Sequence, residues 1–111
     1  MNISKLLQED GVLNFNYINI EPTSGFMVNM EVHTVSIDKG DLTPALLKGY
    51  CMSKAYLMCD PMNFIKKKTI DNKVFLDISC NIINKEEAIL LGLSEKRDNI
   101  FDINNNRLIK L

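Results

Sequence analysis

The sequence predicts an α+β domain: an antiparallel sheet with two helices on one face, in the order ββαββαββ. Three observations predict it. Val74, Leu76, Ile78, Cys80 and Ile82 alternate with Asp77, Ser79 and Asn81, the period of a strand with one buried face. Two helix starts are written out, at Thr43-Pro44 and at Asn84 with Glu87 three residues on. Turn residues separate further alternating runs on either side, and strand pairs interrupted by two separated helices favour helices packed on one side of an antiparallel sheet.

The elements follow in order. Ile3 to Glu9 forms a short helix with Ile3, Leu6 and Leu7 on one side, stopped by Gly11. From Val12 to Ile20, Leu13, Phe15 and Tyr17 alternate with Asn14 and Asn16 as a first strand. Glu21-Pro22-Thr23-Ser24-Gly25 turns the chain, since Pro presets φ and Gly tolerates positive φ. A second strand starts at Phe26 and sets Phe26, Val28, Met30 and Val32 against Asn29, Glu31 and His33. Val35 and Ile37 then fall on the formerly polar side, so a bulge is expected near His33 and Thr34.

Asp38 to Asp41 is a loop, Thr43 an N-cap and Pro44 the first helical residue. The helix runs to Cys59, where Asp60-Pro61 stops it. It is apolar around most of its circumference, while one sheet covers roughly a 100° stripe. Part of it therefore needs another neighbour or a partner. Met62 to Thr69 and Lys73 to Ile83 are strands joined through Ile70-Asp71-Asn72. After Asn84 a second helix carries Ala88, Ile89, Leu90, Leu91 and Leu93, and Ile100 to Ile103 with Arg107 to Lys110 forms a closing hairpin around Asn104-Asn105-Asn106.

At 111 residues, with 46% hydrophobic and 24% charged residues and no repeat or low-complexity tract, the chain reads as one domain, 1–111. A net charge of -1 supplies no field for a polyanion, so direct nucleic-acid binding is not expected. Lys5, Glu9 and Asp10 break any signal-peptide pattern, and a cytoplasmic protein is expected. Lys48, Lys54 and Pro44 would be costly in lipid, so Leu42 to Cys59 is not read as a membrane span. Lys outnumbers Arg 11 to 2 and Asn and Ile are abundant, a bias of AT-rich coding that hints at a low-GC bacterium or its phages.

Chemistry-bearing residues are sparse. Cys51 and Cys59 would stand about 12 Å apart along a helix, beyond bridging range. With Cys80 and His33 they make no chelate spacing, so no metal and no cofactor is expected and the cysteines read as small apolar residues. His33 with Glu31 could shuttle a proton, and Asp77, Asp98 and Asp102 could gather as an acid–base or magnesium group. Either would make a small enzyme or metal protein, the alternative reading. Lys66-Lys67-Lys68 reads as the protection of an edge strand. Met52 and Met58, if uncovered, suit a protein-binding face.

Val74-Phe75-Leu76-Asp77-Ile78-Ser79, then Glu87-Ala88-Ile89 with Gly92, then Asn99-Ile100-Phe101-Asp102, resembles a pattern in small uncharacterised proteins of phages and integrative elements. Ser24-Gly25-Phe26-Met27-Val28 is similar to their Ser-Gly-Tyr-x-Val segment, and the match covers roughly two thirds of the chain. Those proteins often carry a tryptophan before the central strand, where this chain has Phe64. The resemblance implies an accessory protein of a mobile element. By analogy of size and context with anti-CRISPR proteins, the expected function is non-enzymatic inhibition of a host defence machine, such as a CRISPR effector, by steric occupation of its surface. The expected contact residues are Tyr50, Lys54 and Met58 on the uncovered helix side, with Asp77, Ser79 and Asn81 on the outward strand face. A further alternative is a self-assembling structural module whose apolar helix forms a homodimer.

Overall fold

The computed structural model describes residues 3–15 and 21–111. Its elements are α1 (Ile3–Gln8), β1 (Gly11–Leu13), β2 (Phe26–Asp38), α2 (Pro44–Ser53), α3 (Ala55–Met58), β3 (Asn63–Ile70), β4 (Lys73–Ile82), α4 (Lys85–Ser94), β5 (Asn99–Asp102) and β6 (Arg107–Lys110). The six strands form one antiparallel sheet in the order β1-β3-β4-β2-β5-β6. The α+β class and the order of strands and helices agree with the sequence reading. The first strand is shorter than expected, because Gly11–Leu13 is what pairs with β3, and residues 16–20 of the expected run lie outside the described residues.

Directly opposed residues of an antiparallel pair share a face, so the register assigns the two sides of the sheet. Met30, Ile78 and Ile65 are opposed in a row, as are Phe26 with Ile82 and Val28 with Cys80. On that side Leu47, Tyr50, Cys51 and Met58 close over Leu13, Met30, Ile65, Val74, Leu76 and Ile78, together with Leu6. A second core forms beside it, where Ala88 packs on Phe26, Val28 and Ile100. Gly92 brings α4 so close that a Cβ there would stand 2.9 Å from Ile100 Cγ2 and 2.6 Å from Leu111 Cδ1. Strand β2 serves both cores.

Both helix starts are capped by the expected residues. Thr43 Oγ1 accepts from the Leu46 N–H at 3.1 Å, and Asn84 Oδ1 accepts from the Glu87 N–H at 2.9 Å. The expected single helix from Pro44 to Cys59 is instead broken at Lys54, whose φ of -103° and ψ of 8° separate α2 from α3. The Lys54 N–H is shared between the Tyr50 and Cys51 carbonyls, both at 3.2 Å, and the chain bends there.

The lysine run corrects the edge-strand expectation. Strand β3 lies inside the sheet, between β1 and β4, because the N-terminal segment supplies the outer strand. Lys67 points to the helix side and is buried, its ammonium donating to the Leu7 carbonyl at 3.1 Å and standing 3.9 Å from Asp10 Oδ1. Asp10 also accepts from the Thr69 N–H at 2.8 Å and the Thr69 hydroxyl at 2.7 Å. That backbone bond is the main reason its carboxyl sits below the ordinary value, with the hydroxyl bond and Lys67 adding to it.

Candidate functional site

The bulge expected near His33 and Thr34 is present and large. Met30 stands opposite Ile78 and Val35 opposite Leu76, so residues 31–34 of β2 face Asp77 alone. The surplus residues arch out of the ladder. Val32 lies in this arch at 80% exposure, so it leaves the inward row in which the alternation placed it.

The arch is pinned by neighbours from three elements. Tyr50 of α2 donates its phenol hydrogen to the His33 carbonyl at 2.7 Å. Lys54 Nζ lies 3.3 Å from His33 Nδ1, and the imidazole meets the Tyr56 ring edge-on, with centroids 6.5 Å apart and planes at 74°. Beyond α4, Arg97 Nη1 pairs with Glu31 Oε2 at 2.7 Å. Burial, then the Lys54 charge, push the His33 imidazole below its ordinary value, and Glu95 pulls weakly the other way.

Besides Val32, apolar side chains on the helices face solvent. Met52 is 63% exposed and Tyr56 65%, four residues apart across the Lys54 bend. Leu90 and Leu93 are exposed on the outer side of α4. The condition set for a methionine-bearing face is met by Met52 and not by Met58, which is buried. The sequence reading puts Ala88, Ile89, Leu90, Leu91 and Leu93 on the apolar side of this helix; Leu90 and Leu93 instead face solvent, because the five cannot all share one buried stripe.

The residues singled out from sequence do not assemble into one surface. Tyr50 and Met58 are buried against the sheet, which corrects their assignment to an uncovered helix side. Lys54 is half-buried and turned toward His33. Asp77, Ser79 and Asn81 do occupy the other sheet face, yet Ser79 and Asn81 are buried, and Asn81 Nδ2 donates to the Ser24 carbonyl at 3.0 Å. The turn expected at 21–25 thus covers that end of the face. Asp77 is half-buried at the strand centre, where burial raises its carboxyl above the usual range against the pull of Lys66, a bond from Asn29, and Arg97. Its Oδ1 and Arg97 Nε are the buried side-chain polar atoms without a partner among the described residues.

The catalytic alternatives find their members apart. Asp102 lies on the helix side of the sheet, held below its ordinary value first by the Asn105 side chain, whereas Asp77 lies on the opposite side and Asp98 is exposed after α4. Glu31 is engaged by Arg97 and His33 by Lys54. No three His, Cys, Asp or Glu side chains gather as a metal site among the described residues. The cysteines are free: Cys51 buried, Cys80 half-buried and Cys59 exposed. Burial pushes Cys51 and Cys80 up to about 11. Cys80 lines a cleft of about 740 Å³ with Met62, Ile82 and Glu87.

No helix among the described residues is long and apolar enough to cross a membrane. Comparison with protein-family models, curated proteins and solved structures finds no match to this chain.

Proposed function

We propose that this chain is a non-enzymatic binding protein of a phage or mobile element. It blocks a host defence machine, of the kind anti-CRISPR proteins target, by covering one of that machine's surfaces. The observation that carries the binding role is the exposure of Val32 in a bulge fixed by Tyr50, Lys54 and Arg97, with exposed Tyr56 against the His33 ring of the same bulge. Apolar and aromatic side chains held rigidly outward lose little freedom on docking, which is what makes an anchor effective. The resemblance in the strand, helix and strand from Val74 to Asp102 supports the mobile-element setting, and inhibition then follows from occlusion alone.

Size-exclusion chromatography of the purified protein with candidate effectors of the relevant CRISPR types tests this. A co-eluting complex with the wild type, lost with Val32→Asp plus Tyr56→Asp, is the expected result; the absence of any complex across those effectors sinks the reading. Exposed Leu90 and Leu93 favour a second reading, a homodimer through α4, for which the neighbouring Glu86 and Glu87 and the distal Lys96 are complementary in an antiparallel pair. Sedimentation velocity of the protein alone separates the two.

A further inference from the structure

We propose that His33 is a proton-operated latch: neutral, it ties the 31–34 bulge to the α2–α3 joint through Lys54, and protonated, it releases that tie and loosens the bulge. The consequence for docking rests on the function proposed above; the latch itself does not.

The geometry sets the chemistry. An ammonium has three donors and no acceptor, so a His33 Nδ1 lying 3.3 Å from Lys54 Nζ has to offer a lone pair. That places the ring hydrogen on Nε2. Adding a second proton puts an N–H in place of the lone pair and a positive charge beside another. The contact is then both unmade and repulsive.

The charged and titratable groups facing the imidazole come from each element packed on it. Lys54 stands at the joint, Tyr50 and Tyr56 on α2 and α3, and Glu95 beyond α4, with the Glu31–Arg97 pair at the base of the bulge. Glu95 alone favours the charged ring, and burial with Lys54 outweighs it, consistent with an imidazole held below its ordinary value.

Leverage comes from convergence on one residue. The carbonyl of His33 takes the Tyr50 hydroxyl, its Nδ1 takes Lys54 and its ring meets Tyr56. When the second contact is lost, the side-chain tie to the joint is reduced to the Tyr56 ring while Tyr50 and Arg97 still hold the backbone, and Val32 and Tyr56 are held less firmly relative to each other. The docking face loses its shape without the fold being lost.

The test is an NMR titration of the free 111-residue chain from pH 8 to pH 5. The His33 ring is expected to titrate below 6.5, with the amides of Val32, His33 and Thr34 moving at the same midpoint. Lys54→Met raises the midpoint, and His33→Gln abolishes the amide response. Bulge amides that stay still while the ring titrates overturn the latch, as does a midpoint unchanged by Lys54→Met. Should Lys54→Met fail to fold, Lys54→Gln and the wild-type amide response still decide it. A failed search for an effector would sink the docking reading and leave this titration intact.

Discussion

The phenol of Tyr50 and the main-chain carbonyl of His33 are joined at 2.7 Å, so a helix residue fixes the backbone of a strand irregularity 17 positions away. Tyr50→Phe removes the donor, keeps the packing and leaves a carbonyl unsatisfied. A loss of about 1 kcal/mol in urea denaturation is expected. If the bulge is the docking face, effector binding weakens as well.

Asp77 carries a charge that its surroundings penalise. Its native carboxyl titrates above the ordinary 3.8, so the penalty is full at neutral pH, is relieved as pH falls through the native value, and is gone below 3.8. Asp77→Asn should therefore raise stability at pH 7, with the gain shrinking on acidification. Denaturant midpoints measured at pH 7 and pH 3.5 check the sign.

His33 behaves oppositely, because its native form takes the proton less readily than the unfolded chain. Stability it contributes is complete above 6.5 and declines as pH falls from there through the lower native value. His33→Gln flattens that part of the stability profile between pH 7 and pH 5, which thermal melts in a pH series will show.

The three thiols should separate by rate. Cys59 is exposed, Cys80 lies in a cleft with its thiol pushed up to about 11, and Cys51 is buried with a similar value. Ellman's reagent at pH 8 is expected to modify Cys59 quickly, Cys80 slowly and Cys51 only in denaturant. Equal rates for all three would contradict the placement.

Gly25 enters β2 with φ at 81°, and a Cβ there would lie 2.8 Å from the Ile82 carbonyl oxygen. Gly25→Ala is both strained and crowded by backbone. A destabilisation of about 1–3 kcal/mol is expected in chemical denaturation.

Local features of this fold are readable where one residue settles its own surroundings. Thr43 and Asn84 bond the amides that their positions imply, and the phase change at Val35 marks the bulge because a strand's two faces cannot exchange without surplus residues. The features that escape depend on distant chain. Lys66 to Lys68 resemble edge protection until β1 is known to lie outside them, and nothing near Lys67 announces the Leu7 carbonyl that receives it. Tyr50 on α2 and Met58 on α3 belong to a largely apolar stretch whose buried side is set by the sheet residues it packs on. Around His33 the position of the arch was legible, while the exposure of Val32 and the place of Tyr56 became visible only once the bulge turned one outward and set the other beside His33.

Strand β2 sits between β4 and β5, both of which come much later in the chain. Its neighbours must be recruited across long sequence separations before either core can close, so folding should be slow for so small a protein. Until then β2 remains a sticky ribbon, and versions shortened ahead of Asn99 should aggregate rather than lose only a hairpin.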